Sequence, residues 1–263
     1  MYQRIPVEYS NVAVFHLYKS YKDRPEVGSK WGWHHFYKHI CIKSSCLNNP
    51  RIINIGTAVP QHRISQNEHH KILETANGLS RENKLLLHRI YSRSGIQSRY
   101  SVLSEFGSPE PAVDEGENYL FHPSSRKAPA SVSKRMQLFD DYAIDLCNEA
   151  ALSCFKQIES FELSSVTHLI TFTCTGLSAP GLDIQLVNKL GLNRNTERTC
   201  INFMGCYAGI NALKSAWHIC RSQPDAVVLL CGVELCTLHY REFETQDQLI
   251  ANALFADGAA VVV

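Results

Sequence analysis

The run Ile201-Asn202-Phe203-Met204-Gly205-Cys206-Tyr207-Ala208-Gly209 constrains the fold of this chain more than any other stretch. An apolar, strand-like segment precedes Gly205. Beyond it Tyr207, Ile210, Leu213, Trp217 and Cys220 recur at three- and four-residue steps, the spacing of one helical face. Gly205 permits a tight turn between the two. The pattern predicts a strand-turn-helix unit with Cys206 at or near the helix N-terminus. There, unpaired backbone N–H groups and the positive end of the helix dipole favour a thiolate. A thiolate attacks thioesters, so the placement reads as acyl transfer through a covalent intermediate. The plainer reading of any cysteine is a small buried core residue. The flanking glycines and the strand-to-helix position favour the nucleophile.

The rest of the chain repeats this alternation. Ile52 to Val59 reads as a buried strand, and residues 65–93 read as helices with Ser80 as a cap. Residues 101–130 hold Gly107, Pro109, Pro111, Pro123 and Pro129 and read as an ordered loop or flap. A helix is expected from Ser131 or Ser133 to about Phe155. Strands follow at Val166–Cys174 and Ala226–Leu235, a helix runs through Asp183 and Leu190, and a last strand begins at Gly258. Strands and helices alternating in this way imply an α/β fold with covered sheet faces. Residues 1–50 are rich in aromatic and basic side chains without a sustained period. They read as a poorly ordered N-terminal extension ahead of a domain spanning 51–263. Because the sequence stops inside an apolar strand, an unfinished sheet edge is expected, with a segment missing after Val263.

Composition narrows the function classes. The net charge of +1 gives no argument for nucleic acid or a membrane surface, and no apolar run is long enough for a membrane span. No secretory signal follows Met1. The ten cysteines are scattered, and no pair has Cys-x-x-Cys spacing. The expectation is reduced cysteines in a cytoplasmic protein, with no metal site. His34-His35 and His69-His70 read as surface residues, and Cys231 and Cys236 as buried strand residues.

Three segments carry a resemblance to a known family. Gly205-Cys206-Tyr207-Ala208-Gly209, Cys174-Thr175-Gly176-Leu177-Ser178-Ala179-Pro180-Gly181 and Ala253-Leu254-Phe255-Ala256-Asp257-Gly258-Ala259-Ala260 occur in the chain, each beside a predicted strand or helix. Together they resemble type III polyketide synthases, the chalcone and stilbene synthase family, with the closer likeness to bacterial members. The resemblance implies a thiolase-like fold, an internal duplication of which this chain is the N-terminal αβαβα half. It implies a homodimer that uses acyl-CoA and malonyl-CoA as substrates and needs no cofactor. Cys206 matches the nucleophile that holds the growing chain as a thioester. Tyr240 falls where a gatekeeping aromatic lies between the coenzyme A tunnel and the cavity. Arg89 and Arg93 match positions that grip the coenzyme A phosphates; a third basic position of that cluster is Leu86 here, with Lys84 off-register. Cys174 matches a cavity-lining position. Ala179 falls where plant enzymes insert a Met across the dimer interface. Without the resemblance, Arg89 and Arg93 read as a solvated helix face and Tyr240 as a packing residue.

The family's second half supplies a His and an Asn that activate the thiol and stabilise the enolate formed on decarboxylation. None of the twelve histidines here occupies that context. Removing oxyanion donors costs about 10²–10³ in rate, so this polypeptide alone is expected to be inactive and poorly soluble. Two other functions stay open. One is a ketoacyl-ACP synthase III-like condensing enzyme. The other is a non-catalytic remnant that binds acyl-CoA or a full-length paralogue.

Overall fold

The computed structural model describes residues 49–74, 79–107, 130–240 and 245–263. The chain divides into two units, Met1–Leu47 and Asn48–Val263. All the described elements belong to the second unit. The predicted extension, save Asn49 and Pro50, and most of the predicted flap (108–129) lie outside the described residues.

The second unit is built on a five-stranded mixed sheet. Its strands are β1 (Ile55–Ala58), β4 (His168–Thr173), β5 (Glu197–Asn202), β6 (Val228–Leu235) and β7 (Asp257–Val262), in the order β1-β7-β6-β4-β5. β6, β4 and β5 run parallel, and β7 is antiparallel to both β6 and β1. A separate antiparallel ribbon pairs β2 (His62–Ser65) with β3 (Ser98–Ser101). The helices are α1 (Gln66–Glu74), α2 (Arg81–Arg93), α3 (Val132–Phe155), α4 (Leu182–Leu190), α5 (Tyr207–Ser222) and α6 (Gln246–Leu254).

Local sequence sets the helix starts. The hydroxyls of Ser80 and Ser131 accept from the N–H groups of Asn83 at 3.1 Å and Lys134 at 3.2 Å, capping α2 and α3 at the expected positions. Thr245 and Gln248 close a reciprocal capping box on α6.

Alternation along β6 sorts its side chains between two cores. Leu229, Cys231, Val233 and Leu235 face α3, joining Leu138, Phe139, Leu146 and Cys147. Val228 and Leu230 face the other way, with Ile170, toward Ala212 and Ala216 of α5. Fully burying each large aliphatic or aromatic side chain contributes about 1.5–3 kcal/mol. β1 presses closely on α3: a Cβ added at Gly56 would stand 2.3 Å from Ala150 O and from Cys154 N. A third cluster, of Leu73, Leu87, Tyr91, Tyr240, Leu249 and Ala253, joins α1, α2 and α6.

The spacing after Cys206 marks a helix but not its inner face: Ala208, Ala212 and Ala216 meet the sheet, while Tyr207, Ile210, Leu213 and Trp217 are exposed. Small residues let the helix lie close to the sheet, and the large ones are left on the outer side. Three expectations need correction. β1 is not a buried strand, because it is a sheet edge and Ile52, Ile53 and Ile55 are exposed. β7 is not an unfinished edge: it is paired on both sides, and Val263 continues that pairing by donating to Asn54 O at 3.1 Å and accepting from Ile53 N at 2.7 Å. Finally, His69 is a core residue, 2% exposed, rather than a surface one.

Candidate active site

Cys206 is the N-cap residue of α5, immediately after the turn that follows β5. The turn needs two positive φ values within three residues, 57° at Phe203 and 64° at Gly205. Glycine adopts this conformation freely; a bulky aromatic does so at a cost of about 1–3 kcal/mol, and such strain concentrates at functional sites. The Phe203 N–H donates to Thr173 O at 3.1 Å, tying the turn to the end of β4. The Cys206 side chain is exposed and makes no capping hydrogen bond. Ala208 N–H donates to Gly205 O at 3.0 Å, and the N-terminal end of α5 lies beside a sulfur open to a ligand.

The parallel strands bring two further thiols to the same edge. Cys174 follows the carboxyl end of β4 and Cys236 that of β6, while Cys206 lies just beyond β5. In open α/β sheets this edge is where ligands bind. Burial, followed by the charges of Glu234, Asp257, Cys206 and Cys174, pushes the Cys236 thiol up to about 12. It stays protonated and does not compete as a nucleophile. Burial raises Cys200 as well. Cys236 is half-buried in a short 3₁₀ turn, Cys236–His239, and not a buried strand residue.

Glu234, which has no marking motif in the sequence, organises this edge. Its carboxylate accepts from Cys174 N at 2.9 and 3.1 Å and from the Thr175 hydroxyl at 2.7 Å. Thr175 Oγ1 in turn accepts from Leu235 N at 2.9 Å, and His239 Nε2 donates to Thr175 O at 2.6 Å. Charged acceptors of this kind form the stronger hydrogen bonds. The loop carrying Cys174 is thereby fixed to the end of β6.

Asp257, in the third motif, is a second such hub. It accepts from Thr237 N at 2.8 Å, from the Thr237 hydroxyl at 2.6 Å and from Val102 N at 2.9 Å. Burial still outweighs these donors and raises its carboxyl to about 6.

The remaining predicted residues fall in different places. Ala179 is exposed in the loop between β4 and α4, at a cis bond to Pro180. Arg89 and Arg93 are exposed on α2 and have no ion-pair partner among the described residues. Tyr240 is buried, not open to solvent. It is 8% exposed, its ring meets Phe106 and His69 edge-on at 6.1 and 6.0 Å, and α1, α2 and α6 enclose it. A gate must face the passage that it controls, and this ring faces the core. An exposed aromatic near this edge is Phe255, two residues ahead of β7 and close to the end of β6.

Beneath Tyr240 lies a cluster anchored by Arg99, itself 2% exposed. Its guanidinium donates to Gln66 Oε1 at 2.8 Å, to the Tyr91 hydroxyl at 3.0 Å, to His69 Nδ1, and to the carbonyls of Asn252 and Phe255 at 2.6 and 3.0 Å. Arg99 thus holds the end of α6 and the approach to β7 against the ribbon.

Comparison with known proteins fits this geometry. The 3,5-dihydroxyphenylacetyl-CoA synthase of Streptomyces toyocaensis is 32% identical over 213 residues, 81% of this chain and 49% of that protein. Probable polyketide synthase 1 of Dictyostelium discoideum is 27% identical over 216 residues, 82% of this chain and 6% of that protein. Among solved structures, PKS-I from the brown alga Ectocarpus siliculosus has a TM-score of 0.71 at 30% identity, covering 84% of this chain and 57% of the other. The C-terminal type III polyketide synthase domain of Steely1, a type I/III hybrid from Dictyostelium, has a TM-score of 0.69 at 27% identity, covering 82% and 56%. The chain thus spans about half the length of the Streptomyces protein and of these solved chains. The fold is the thiolase-like one of type III polyketide synthases. A family model described as chalcone and stilbene synthases, N-terminal domain, matches residues 42–263, starting nine positions ahead of Arg51. Matched over most of its length in this way, the chain belongs to the chalcone and stilbene synthase family.

Proposed function

We propose that this chain carries the nucleophile of a type III polyketide synthase, an acyltransferase that loads a starter acyl group from coenzyme A and extends it with malonyl-CoA. The observation that carries this reading is Cys206, exposed at the first turn of α5 behind two positive φ residues. In the first step Cys206 Sγ attacks the thioester carbonyl, a new carbon–sulfur bond forms, and coenzyme A departs as the thiol. In the second, malonyl-CoA loses carbon dioxide, and the resulting enolate carbon attacks the enzyme-bound thioester and expels Cys206. Oxyanions formed in both steps need fixed donors.

Glu234 positions the loop of Cys174, which lines the acyl pocket. Phe255, at the open edge, takes the gating place first expected of Tyr240. Arg89 and Arg93, exposed on α2, meet the coenzyme A phosphates; the name of the Streptomyces relative, a coenzyme A thioester synthase, supports that substrate class. Ala179 contributes to a neighbouring subunit in a homodimer. No resident cofactor takes part. Free thiols at all eight described cysteines fit the reducing cytoplasm.

The test is acyl loading. Incubation with a short-chain acyl-CoA, followed by intact and peptide mass spectrometry, is expected to show one acyl group on the Cys206 peptide. Cys206→Ala abolishes the adduct. An adduct that persists in that variant assigns the chemistry to another thiol and overturns the proposal.

A further inference from the structure

The one cluster of potential metal ligands among the described residues lies outside the active edge. His70 and Glu74 are four residues apart on one face of α1, and His88 faces them from α2. One ligand atom from each lies within 4.8 Å of the other two. His70 Nε2 stands 3.5 Å from Glu74 Oε1. Two ligand atoms held at about 2.0 Å by one tetrahedral ion are about 3.3 Å apart, so this pair is already near a bridging separation. The imidazole of His88 is exposed, its centroid 5.5 Å from that of His70, and turns without disturbing packing.

The state of His70 is the second observation. Its Nε2 is buried and makes no hydrogen bond among the described residues. A buried nitrogen without a hydrogen-bond partner is costly unless something else satisfies it. The ring is held at 5.0 Å from Tyr91. The Tyr91 hydroxyl is in turn fixed by His69 Nδ1 at 2.7 Å and by Arg99. Contact with a ring fixed in this way restricts how far the His70 imidazole can turn.

We propose that His70, Glu74 and His88 bind one divalent transition-metal ion of the zinc class, clipping α1 to α2. Two imidazoles and one carboxylate suit zinc, cobalt, nickel or copper, and not magnesium or calcium. The three side chains leave a fourth position for water or an external anion. Because α2 also carries Arg89 and Arg93, the clip fixes the helix that presents them. The site adds to the expected chemistry, which needs no metal, and stands independently of it.

The experiment is calorimetric titration of the full, chelator-treated chain with zinc chloride, and with magnesium chloride for comparison. It is repeated on His88→Gln and Glu74→Gln, two exposed positions whose replacement leaves the fold intact by circular dichroism. The expected result is that the wild-type chain binds one zinc more than either variant, or binds it at least ten-fold more tightly, with no matching magnesium event. Cobalt substitution gives visible d–d bands that both variants lose. Zinc held by cysteines or histidines elsewhere appears equally in all three proteins. Equal stoichiometry and affinity across the three, or a wild-type chain that binds no zinc, overturns the proposal.

Discussion

The carboxyl of Asp257 makes this fold weaken as pH rises through the range where most carboxylates are already ionised. Its midpoint moves from 3.8 to about 6 on folding, because burial outweighs the donors from Thr237, Val102 and Ser101. Ionising it therefore costs roughly 3 kcal/mol more in the folded chain than in the unfolded one. The folded state binds the extra proton, so this contribution is fully present below pH 3.8 and is lost as pH rises through about 6. Integrating the linkage, roughly 1 kcal/mol of the loss falls between pH 5 and 7.5. The protonated form is well accommodated: Oδ2–H donates to Thr237 Oγ1, and that hydroxyl turns to Ser101 Oγ, 2.7 Å away. In Asp257→Asn the amide nitrogen must face the N–H of either Thr237 or Val102, at a cost of about 1–3 kcal/mol. Urea unfolding of both proteins, followed by circular dichroism at the two pH values, isolates the effect, because other titrating groups cancel in the difference. The wild-type advantage is expected to shrink by roughly 1 kcal/mol from pH 5 to 7.5. An advantage that stays constant or grows would show that the hydrogen-bond donors hold the carboxyl low, and would refute the reasoning.

Two glycines that face the same ring are expected to respond oppositely to alanine. At Gly232 a Cβ would stand 2.2 Å from the Phe172 ring, so Gly232→Ala costs about 1–3 kcal/mol by overpacking; at Gly209 the nearest atom is 3.6 Å away and Gly209→Ala gains up to about 1 kcal/mol of helix propensity. Thermal unfolding of the two variants separates these outcomes, and a destabilised Gly209→Ala would contradict the packing described. Replacing Arg99 by Met leaves the Asn252 and Phe255 carbonyls without their donor, at about 1–3 kcal/mol each. Faster hydrogen exchange at the end of α6 reports that loss; unchanged exchange there would show that the guanidinium is not what holds this turn.

Elements were legible where the determinant is local. Ser80 and Ser131 mark two helix starts by their own hydroxyls, and the three-and-four spacing after Cys206 names a helix correctly. That spacing does not say which side of the helix meets the sheet. Both sides of α5 are apolar, and the choice of the alanine side depends on the room left by Phe172 and Ile170 on a different strand. The ribbon of β2 and β3 escaped notice because four-residue strands such as His62–Ser65 carry polar side chains and no readable alternation. The edge that assembles Cys206, Cys174 and Cys236 follows from strand order, while the hub residue Glu234 sits in an otherwise apolar run with nothing local to mark it. Tyr240 was assigned by motif position, but its environment comes from α1, α2 and α6, elements that the motif does not specify. His70 and His88 are separated by a helix end and a turn, so no spacing rule joins them.

The placement of β7 governs how the sheet can be made during synthesis. Among the described residues β1 has no sheet partner except β7, and Ile55 pairs with Val262. At about 5–20 residues per second, roughly 10 to 40 s pass between the ribosome making the first of these strands and the last. Until then β1 and the near face of α3 have only each other, and the free edge of β6 is open to any other extended segment. Contacts of such long sequence separation are the slow ones to form. This sheet therefore closes late, and a nascent chain of this sequence depends on protection of the β6 edge until β7 arrives.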